Sequence, residues 1–129
     1  MTKTDDPGFI KGRLKSFRFA FKGFLYLVRH EHSIMVQMSI AGAVCLLGWY
    51  LEISSYEWLA QILAIGLVLV AEGLNTAIEK LCDFVHKDYH KDIGLIKDIA
   101  AGSVTFAALT AVIVGFIIYL PRLIEAVGF

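Results

Sequence analysis

The stretch WLAQILAIGLVLVAEGLNTAIE, residues 58–79, decides the fold. Its first part is an unbroken apolar run, and the whole stretch has the length of roughly 20 residues that one helix needs to cross a bilayer. Its last part nevertheless carries Glu72, Asn75 and Glu79. An ionisable residue inside a membrane costs at least about 2.5 kcal/mol on insertion scales, so it must face protein or water and is a functional candidate. The stretch therefore predicts a membrane helix with a functional polar face.

The composition agrees with a membrane protein, because 57% of the 129 residues are hydrophobic, more than a soluble domain of this size can bury. Two further segments, 34–51 and 99–120, are long and apolar enough to span a bilayer. We expect one all-α membrane domain over residues 1–129, with residues 80–98 connecting the second and third spans. The formal net charge is zero, so no nucleic-acid partner is expected. Cys45 and Cys82 lack the paired spacing of a disulfide framework or a zinc site.

The lysines and arginines predict the orientation. Residues 1–30 hold seven of them and residues 80–97 hold four, whereas residues 52–57 hold none. The N-terminus and the second connector should therefore face the cytoplasm. The aromatic residues that should lie at the opposite membrane surface are Trp49, Tyr50, Tyr56 and Trp58.

Residues 9–30 predict an amphipathic helix that lies on the cytoplasmic membrane surface. Apolar residues recur there at steps of four and three: Ile10, Leu14, Phe17, Phe21, Phe24 and Val28. Cations keep the same step on a neighbouring stripe: Lys11, Lys15, Arg18, Lys22 and Arg29. The cationic stripe can bind anionic lipid alone, or a phosphorylated ligand as well.

Polar residues after the apolar run share one helix face at 100° per residue: Glu72, Asn75, Thr76, Glu79, Asp83 and His86. Glu72 lies deepest, with Glu79 about 10 Å nearer the cytoplasm. Glu31, just before the first span, lies at a depth similar to that of Glu79. Two such carboxylates can share a magnesium ion, which prefers few carboxylates together with phosphate oxygens.

The third span opens with Lys97 and Asp98, where a helix N-terminus favours anions and Asp98 is a plausible cap. The small residues 100–103 should allow close helix packing. His86 and His90 have the spacing of a zinc pair, but no third ligand converges on them, which favours a solvated connector.

Two motifs carry a family resemblance: AEGLNTAIEKLCDF (71–84) and YHKDIGLIKDIAAGSV (89–104). They resemble the signature of the prokaryotic diacylglycerol kinase family, whose other branch comprises undecaprenol kinases. The resemblance covers roughly residues 12–120. It implies a homotrimeric lipid kinase of the bacterial inner membrane, with active sites composed between neighbouring subunits. Such an enzyme transfers the γ-phosphate of ATP, with Mg²⁺, to diacylglycerol or to undecaprenol.

The resemblance also implies residue roles. Glu72 corresponds to the general base for the lipid hydroxyl, while Glu31 and Glu79 correspond to the carboxylates that hold magnesium on the nucleotide. Asn75 corresponds to an orienting amide, and Asp83 belongs to the same motif. The residues implied at the ATP site are Glu31, Glu79, Asp88, Tyr89, His90, Lys97 and Asp98.

The chain departs from the family pattern at three positions. Gly12 and Phe19 stand where relatives carry Arg and Tyr, so Arg13 or Lys15 is expected to take over nucleotide contacts. Met35 replaces an arginine.

Two other function classes fit parts of the pattern. An ion- or proton-conducting subunit would also place carboxylates within a helical bundle, but a conduction path should continue across the membrane, and here the polar face is confined to the cytoplasmic end. A purely structural protein leaves the glutamates unexplained. No G-x-x-x-x-G-K-[ST] loop is present, so nucleotide binding cannot be argued from a soluble-kinase motif.

Overall fold

The computed structural model describes residues 7–128, and the side chains of residues 8–128. This part of the chain forms four helices and no β-strand: α1 (Pro7–His30), α2 (His32–Tyr50), α3 (Ser55–Val85) and α4 (Lys91–Val127). Three of them, α2, α3 and α4, are long and apolar enough to cross a membrane. The predicted all-α class with three candidate spans is confirmed.

The helices continue beyond the apolar stretches that predicted them. α3 ends at Val85 instead of near Glu79, and α4 begins at Lys91 instead of near Ile99, so most of the predicted 80–98 connector is helical. Hydropathy indicates which part of a helix suits hydrocarbon, whereas backbone hydrogen bonding continues until a cap ends it.

The cap of α4 is His90, whose Nδ1 accepts a hydrogen bond from the backbone N–H of Asp92 at 3.2 Å. Asp98 therefore lies inside α4, and its predicted role as an N-cap is wrong. The sequence argument placed the start of the helix near Ile99 because the two turns before that residue are amphipathic rather than apolar.

The bundle has two ends that differ in construction. At the turn end, residues 51–54 join α2 to α3, and Ser54 and Glu57 form a reciprocal capping box. Arg122 near the end of α4 donates to both carboxylate oxygens of Glu57, at 2.9 and 2.7 Å. At the other end, which we call the connector end, α1 meets α2 at Glu31 and residues 86–90 join α3 to α4. The turn end is thus held by a two-pronged ion pair between α3 and α4.

A small core near the turn end fixes α2 against the other two helices. Ile53, Ile118 and Tyr119 form its buried centre. The Tyr119 hydroxyl lies 2.5 Å from Oε1 of Gln61 and 3.1 Å from the carbonyl oxygen of Val44, so it links α4 to both neighbours. A buried hydroxyl and amide are tolerated in such a core because each has a partner.

Large apolar side chains remain exposed on the outer faces of α2, α3 and α4. A water-soluble monomer rarely exposes contiguous apolar surface on this scale. The outer faces therefore suit hydrocarbon or other protein helices, whereas the buried polar side chains of the described residues, Gln61, Glu72 and Thr76, lie on α3.

Candidate functional site

Glu72 lies on the buried face of α3. The buried residues of that helix that precede the connector end recur every three or four positions: Gln61, Ala64, Val68, Glu72 and Thr76. Only 9% of the surface of Glu72 is exposed. The helical period thus directs this carboxylate into protein instead of lipid, as the cost of placing an ionisable group in hydrocarbon requires.

Asn75 connects this buried face to Glu79. Its Nδ2 donates a hydrogen bond to Oε1 of Glu79 at 3.1 Å, across one turn of α3. Its other polar atom, Oδ1, is buried and has no hydrogen-bond partner among residues 7–128. The amide therefore holds the Glu79 carboxylate, while its own oxygen is buried without a partner among the described residues.

Glu31 reaches α3 from the junction of α1 and α2. It occupies the N-cap position of α2 without capping the helix, and its Oε1 instead pairs with Nζ of Lys80 at 3.1 Å. The same Nζ lies 5.2 Å from the ring centre of Tyr26 in α1. The structure therefore places Glu31 at the level of Lys80, the residue that follows Glu79 on α3, which is close to the level expected from the sequence.

Gly73 allows α1 to approach α3 at this level. A Cβ atom at this position would lie 3.2 Å from Cδ1 of Leu27, which is tighter than ordinary contact. The sequence argument missed both Gly73 and Lys80. The sequence showed only that each is adjacent to a residue of the acidic face; that α1 packs against this side of α3 follows from the structure.

Asp83 and Lys97 form the other link at the connector end. Their side chains pair at 2.5 Å and join the last turns of α3 to the first turns of α4.

The residues of the short connector lie next to these pairs in sequence and are exposed. Nδ1 of His86 meets the backbone carbonyl of Asp88 at 2.8 Å, and the rings of His86 and His90 are 5.4 Å apart. Tyr89 is 90% exposed, and Asp98 is exposed on α4. Asp88, Tyr89, His90 and Asp98 are thus accessible to a ligand that approaches the connector end.

Arg13 and Lys15 are not brought to the acidic face. They lie over rings of their own helix, Arg13 at 5.2 Å from the centre of Phe9 and Lys15 at 5.9 Å from that of Phe19. At 1.5 Å per residue, Arg13 precedes Tyr26, where α1 meets Lys80 of α3, by about 20 Å along α1. Their predicted contacts with a nucleotide stay a prediction.

The carboxylates at the connector end fit a magnesium ion that is bound mainly through phosphates. No cluster of three or more His, Cys, Asp or Glu side chains occurs in residues 7–128, so a cage made by protein ligands alone is not present there. The two carboxylates predicted to hold the ion are Glu31 and Glu79, and magnesium is commonly held by one or two carboxylates plus substrate phosphates and water. In this structure Glu31 is paired with Lys80, and this ion pair would have to break before Glu31 could bind the ion.

The family model described as prokaryotic diacylglycerol kinase matches residues 18–119. The chain belongs to the prokaryotic diacylglycerol kinase family. An undecaprenol kinase of Bacillus subtilis (strain 168) is 37% identical over 109 residues, which are 84% of this chain and 89% of that protein. A diacylglycerol kinase of Synechocystis is 35% identical over 113 residues, 87% of this chain and 65% of that protein. A diacylglycerol kinase of Escherichia coli (strain K12) is 28% identical over 101 residues, 78% of this chain and 82% of that protein.

Family membership confirms the predicted enzyme class, a lipid kinase. It also disfavours the ion-conducting and structural alternatives, which the sequence alone had left open. The matched range includes Glu31, the polar face of α3 and the start of α4, but begins after Arg13 and Lys15.

Proposed function

We propose that this lipid kinase transfers the γ-phosphate of ATP to the hydroxyl of a membrane lipid alcohol at the connector end of the bundle. The observation that carries the proposal is the placement of Glu72, a carboxylate buried in the bundle on the same helix face as Asn75 and Glu79, while Glu31 pairs with Lys80, the residue that follows Glu79. A lipid hydroxyl lies near the membrane surface while its chains lie in hydrocarbon, so it can meet such a face without leaving the bilayer.

Each residue has a proposed task. Glu72 accepts the proton of the attacking hydroxyl, as a positioned carboxylate can in general base catalysis. Asn75 orients the Glu79 carboxylate through its amide N–H. Lys97 and the exposed residues Asp88, Tyr89, His90 and Asp98 surround the nucleotide, where a cation neutralises phosphate charge.

Glu31 and Glu79 would hold magnesium with the nucleotide. When bound, the ion neutralises charge on the phosphate oxygens, which phosphoryl transfer requires. The residues themselves contribute position: the junction of α1 and α2 carries Glu31, and α3 carries Glu79.

We propose that the chain is a multi-pass protein of the bacterial inner membrane with its N-terminus and connector end facing the cytoplasm. The excess of Lys and Arg in residues 1–30 and 80–97 supports this orientation. α1 then lies on the inner membrane surface as an amphipathic helix. A homotrimer with composite sites is supported by the family resemblance and by the exposed apolar faces, which other copies can cover.

The acceptor is proposed as diacylglycerol, which yields phosphatidic acid, or undecaprenol, which yields undecaprenyl phosphate. Relatives named for each activity match this chain at 37% and 35% identity, and that difference is too small to choose between the two. The experiment is transfer from γ-labelled ATP, with magnesium, to each alcohol in separate detergent micelles, with products separated by chromatography and initial rates compared. Labelled product from one alcohol supports the proposal and names the acceptor; no transfer to either alcohol contradicts it.

A further inference from the structure

A cavity of about 340 Å³ opens at the turn end, between the last turn of α2 and the first turn of α3. The residues that line it are Gly48, Trp49, Tyr50, Glu52 and Trp58. A Cβ atom on Gly48 would lie 3.3 Å from Cζ2 of Trp58, so the glycine lets this ring approach α2. Two candidate membrane spans end and begin here. The cavity therefore lies at the level of the lipid headgroups, where Trp and Tyr are enriched.

Of the five lining residues, only Glu52 carries a charge. No ion pair within residues 7–128 includes its carboxylate. Residues 30–79 contain no Lys or Arg, and Arg122, at the same end of the bundle, donates to both carboxylate oxygens of Glu57. The cavity thus offers an unpaired negative charge to a cation that comes from outside the chain.

The backbone at Glu52 gives a second reason to ask what this side chain does. Its φ is 51°, in the left-handed region, and it is the only non-glycine residue with a positive φ among residues 7–128. Glycine adopts this conformation without steric cost, and asparagine or aspartate adopts it more readily than glutamate. Residues held in such conformations tend to cluster at functional sites. The shape of the turn does not explain a glutamate, so its carboxylate needs a reason of its own.

The aromatic rings make the cavity complementary to an ammonium group. The faces of Trp and Tyr rings attract cations within about 6 Å of the ring centre, and cages of such rings bind ammonium ligands. A carboxylate beside the rings adds charge and accepts hydrogen bonds, which an ammonium that keeps its N–H groups can donate. The indole N–H groups of Trp49 and Trp58 have no hydrogen-bond partner among the described residues. They can donate to an anionic oxygen next to the ammonium.

We propose that this cavity binds the headgroup of a phospholipid that carries ethanolamine. The primary ammonium lies against the rings and pairs with Glu52, and the adjoining phosphate accepts hydrogen bonds from the indole N–H groups. The proposal requires that α2 and α3 span the membrane, but it does not depend on phosphoryl transfer. In the proposed orientation the lipid belongs to the outer leaflet, and its headgroup holds the turn end at the outer membrane surface.

The test uses tryptophan fluorescence, because the chain has two tryptophans and both line the cavity. The full-length protein is reconstituted in vesicles of phosphatidylcholine, into which a phospholipid with brominated acyl chains is titrated. Its headgroup is ethanolamine, choline or glycerol in three separate series, and bromine quenches an indole that it contacts. We expect a relative affinity about three to five times higher for the ethanolamine lipid than for the other two, since cation–π attraction is joined by a charge-assisted hydrogen bond.

Matched variants assign the preference to the cavity. Glu52→Gln should bring the three relative affinities to within about 1.5-fold of one another, whereas Glu125→Gln, exposed near the same end of the bundle, should keep the preference. Tyr50→Leu should lower the preference at least about twofold. Tyr56→Leu, an exposed position outside the cavity, should leave it unchanged.

Equal quenching by the three lipids would overturn the proposal, because rings that only anchor the chain at the membrane surface show no headgroup preference. A preference that survives Glu52→Gln, or stronger quenching by the choline or glycerol lipid, would overturn it as well. The comparison of headgroups in the unsubstituted protein needs no variant, so it remains decisive where a substitution impairs folding.

Discussion

At the scale of single residues, the account depends on a carboxylate that the chain places where carboxylates are costly. Glu72 continues the buried stripe of α3 formed by small and apolar residues such as Ala64 and Val68. A leucine there would fill the same stripe without the insertion cost. The acidic group is therefore best explained by chemistry, and not by packing.

Glu72→Gln tests the role of Glu72 as a base, because the amide keeps the size of the side chain but cannot accept the proton. We expect the initial rate of lipid phosphorylation to fall by about 100-fold or more, with the temperature of unfolding and nucleotide affinity near those of the wild type. Rates come from labelled-ATP transfer, and affinity comes from displacement of a fluorescent nucleotide. A variant that phosphorylates lipid at close to the normal rate rules the role out.

Lys80→Met tests whether Lys80 competes for Glu31. The lysine pairs with the carboxylate at 3.1 Å, so its removal should expose that ligand to a cation. We expect the magnesium concentration for half-maximal activity to fall by about two- to threefold, since a partly exposed ion pair contributes only modestly. Lys11→Met, an exposed residue of α1, serves as the control. An unchanged or higher magnesium requirement in Lys80→Met would show that Lys80 does not compete.

At the scale of helices, the sequence predicted the spans and the polar face of α3 because both follow from periodicity and length. It did not predict where α4 begins. His90 caps the helix with a ring nitrogen, and the charged residues in the turns before Ile99 lower the hydropathy from which a membrane helix is predicted. The pairing of Glu31 with Lys80 was also missed, since it depends on how α1 packs against α3.

The packing of α2 against α4 could not be predicted from the sequence pattern either. Gly48 and Gly42 look alike in the sequence as helix-packing glycines, but only one of them is in a tight contact. A Cβ on Gly48 would lie 2.9 Å from the Tyr119 hydroxyl and 3.0 Å from Cδ1 of Ile53, whereas one on Gly42 would meet nothing within 4 Å.

Gly48→Ala should therefore destabilise the protein by about 1–3 kcal/mol, the usual cost of overpacking. Gly42→Ala should be neutral or slightly stabilising, since alanine is the better helix former by about 1 kcal/mol. Unfolding in detergent, followed by circular dichroism, measures both. Equal stability of the two variants would contradict the close contact of Gly48 with Tyr119.

At the scale of the whole molecule, the two ends have different tasks. The turn end is closed by the ion pair of Glu57 with Arg122 and by the small core around Ile118. The connector end carries acidic residues, exposed loop residues and two lysine pairs. A firm end and an accessible end suit an enzyme that draws one substrate from the bilayer and the other from water.

The proposed orientation predicts which end is reached from outside the cell. In a variant without Cys45 and Cys82, we expect Ser55→Cys at the turn end to react with a membrane-impermeant maleimide in intact cells. Lys87→Cys at the connector end should react only after permeabilisation. Both positions are exposed on the protein surface, so a difference in labelling reports the side of the membrane on which each residue lies. The reverse pattern would place the N-terminus on the outer side.

The central claim is that carboxylates from two parts of the chain act at one site of phosphoryl transfer. The most direct measurement is the initial rate of label transfer from ATP to the lipid alcohol by Glu31→Gln and by Glu79→Gln, beside Glu125→Gln at the exposed end of α4. The account predicts losses of about 100-fold or more for the first two and a normal rate for the third. Near-normal transfer by either of the first two variants would contradict it.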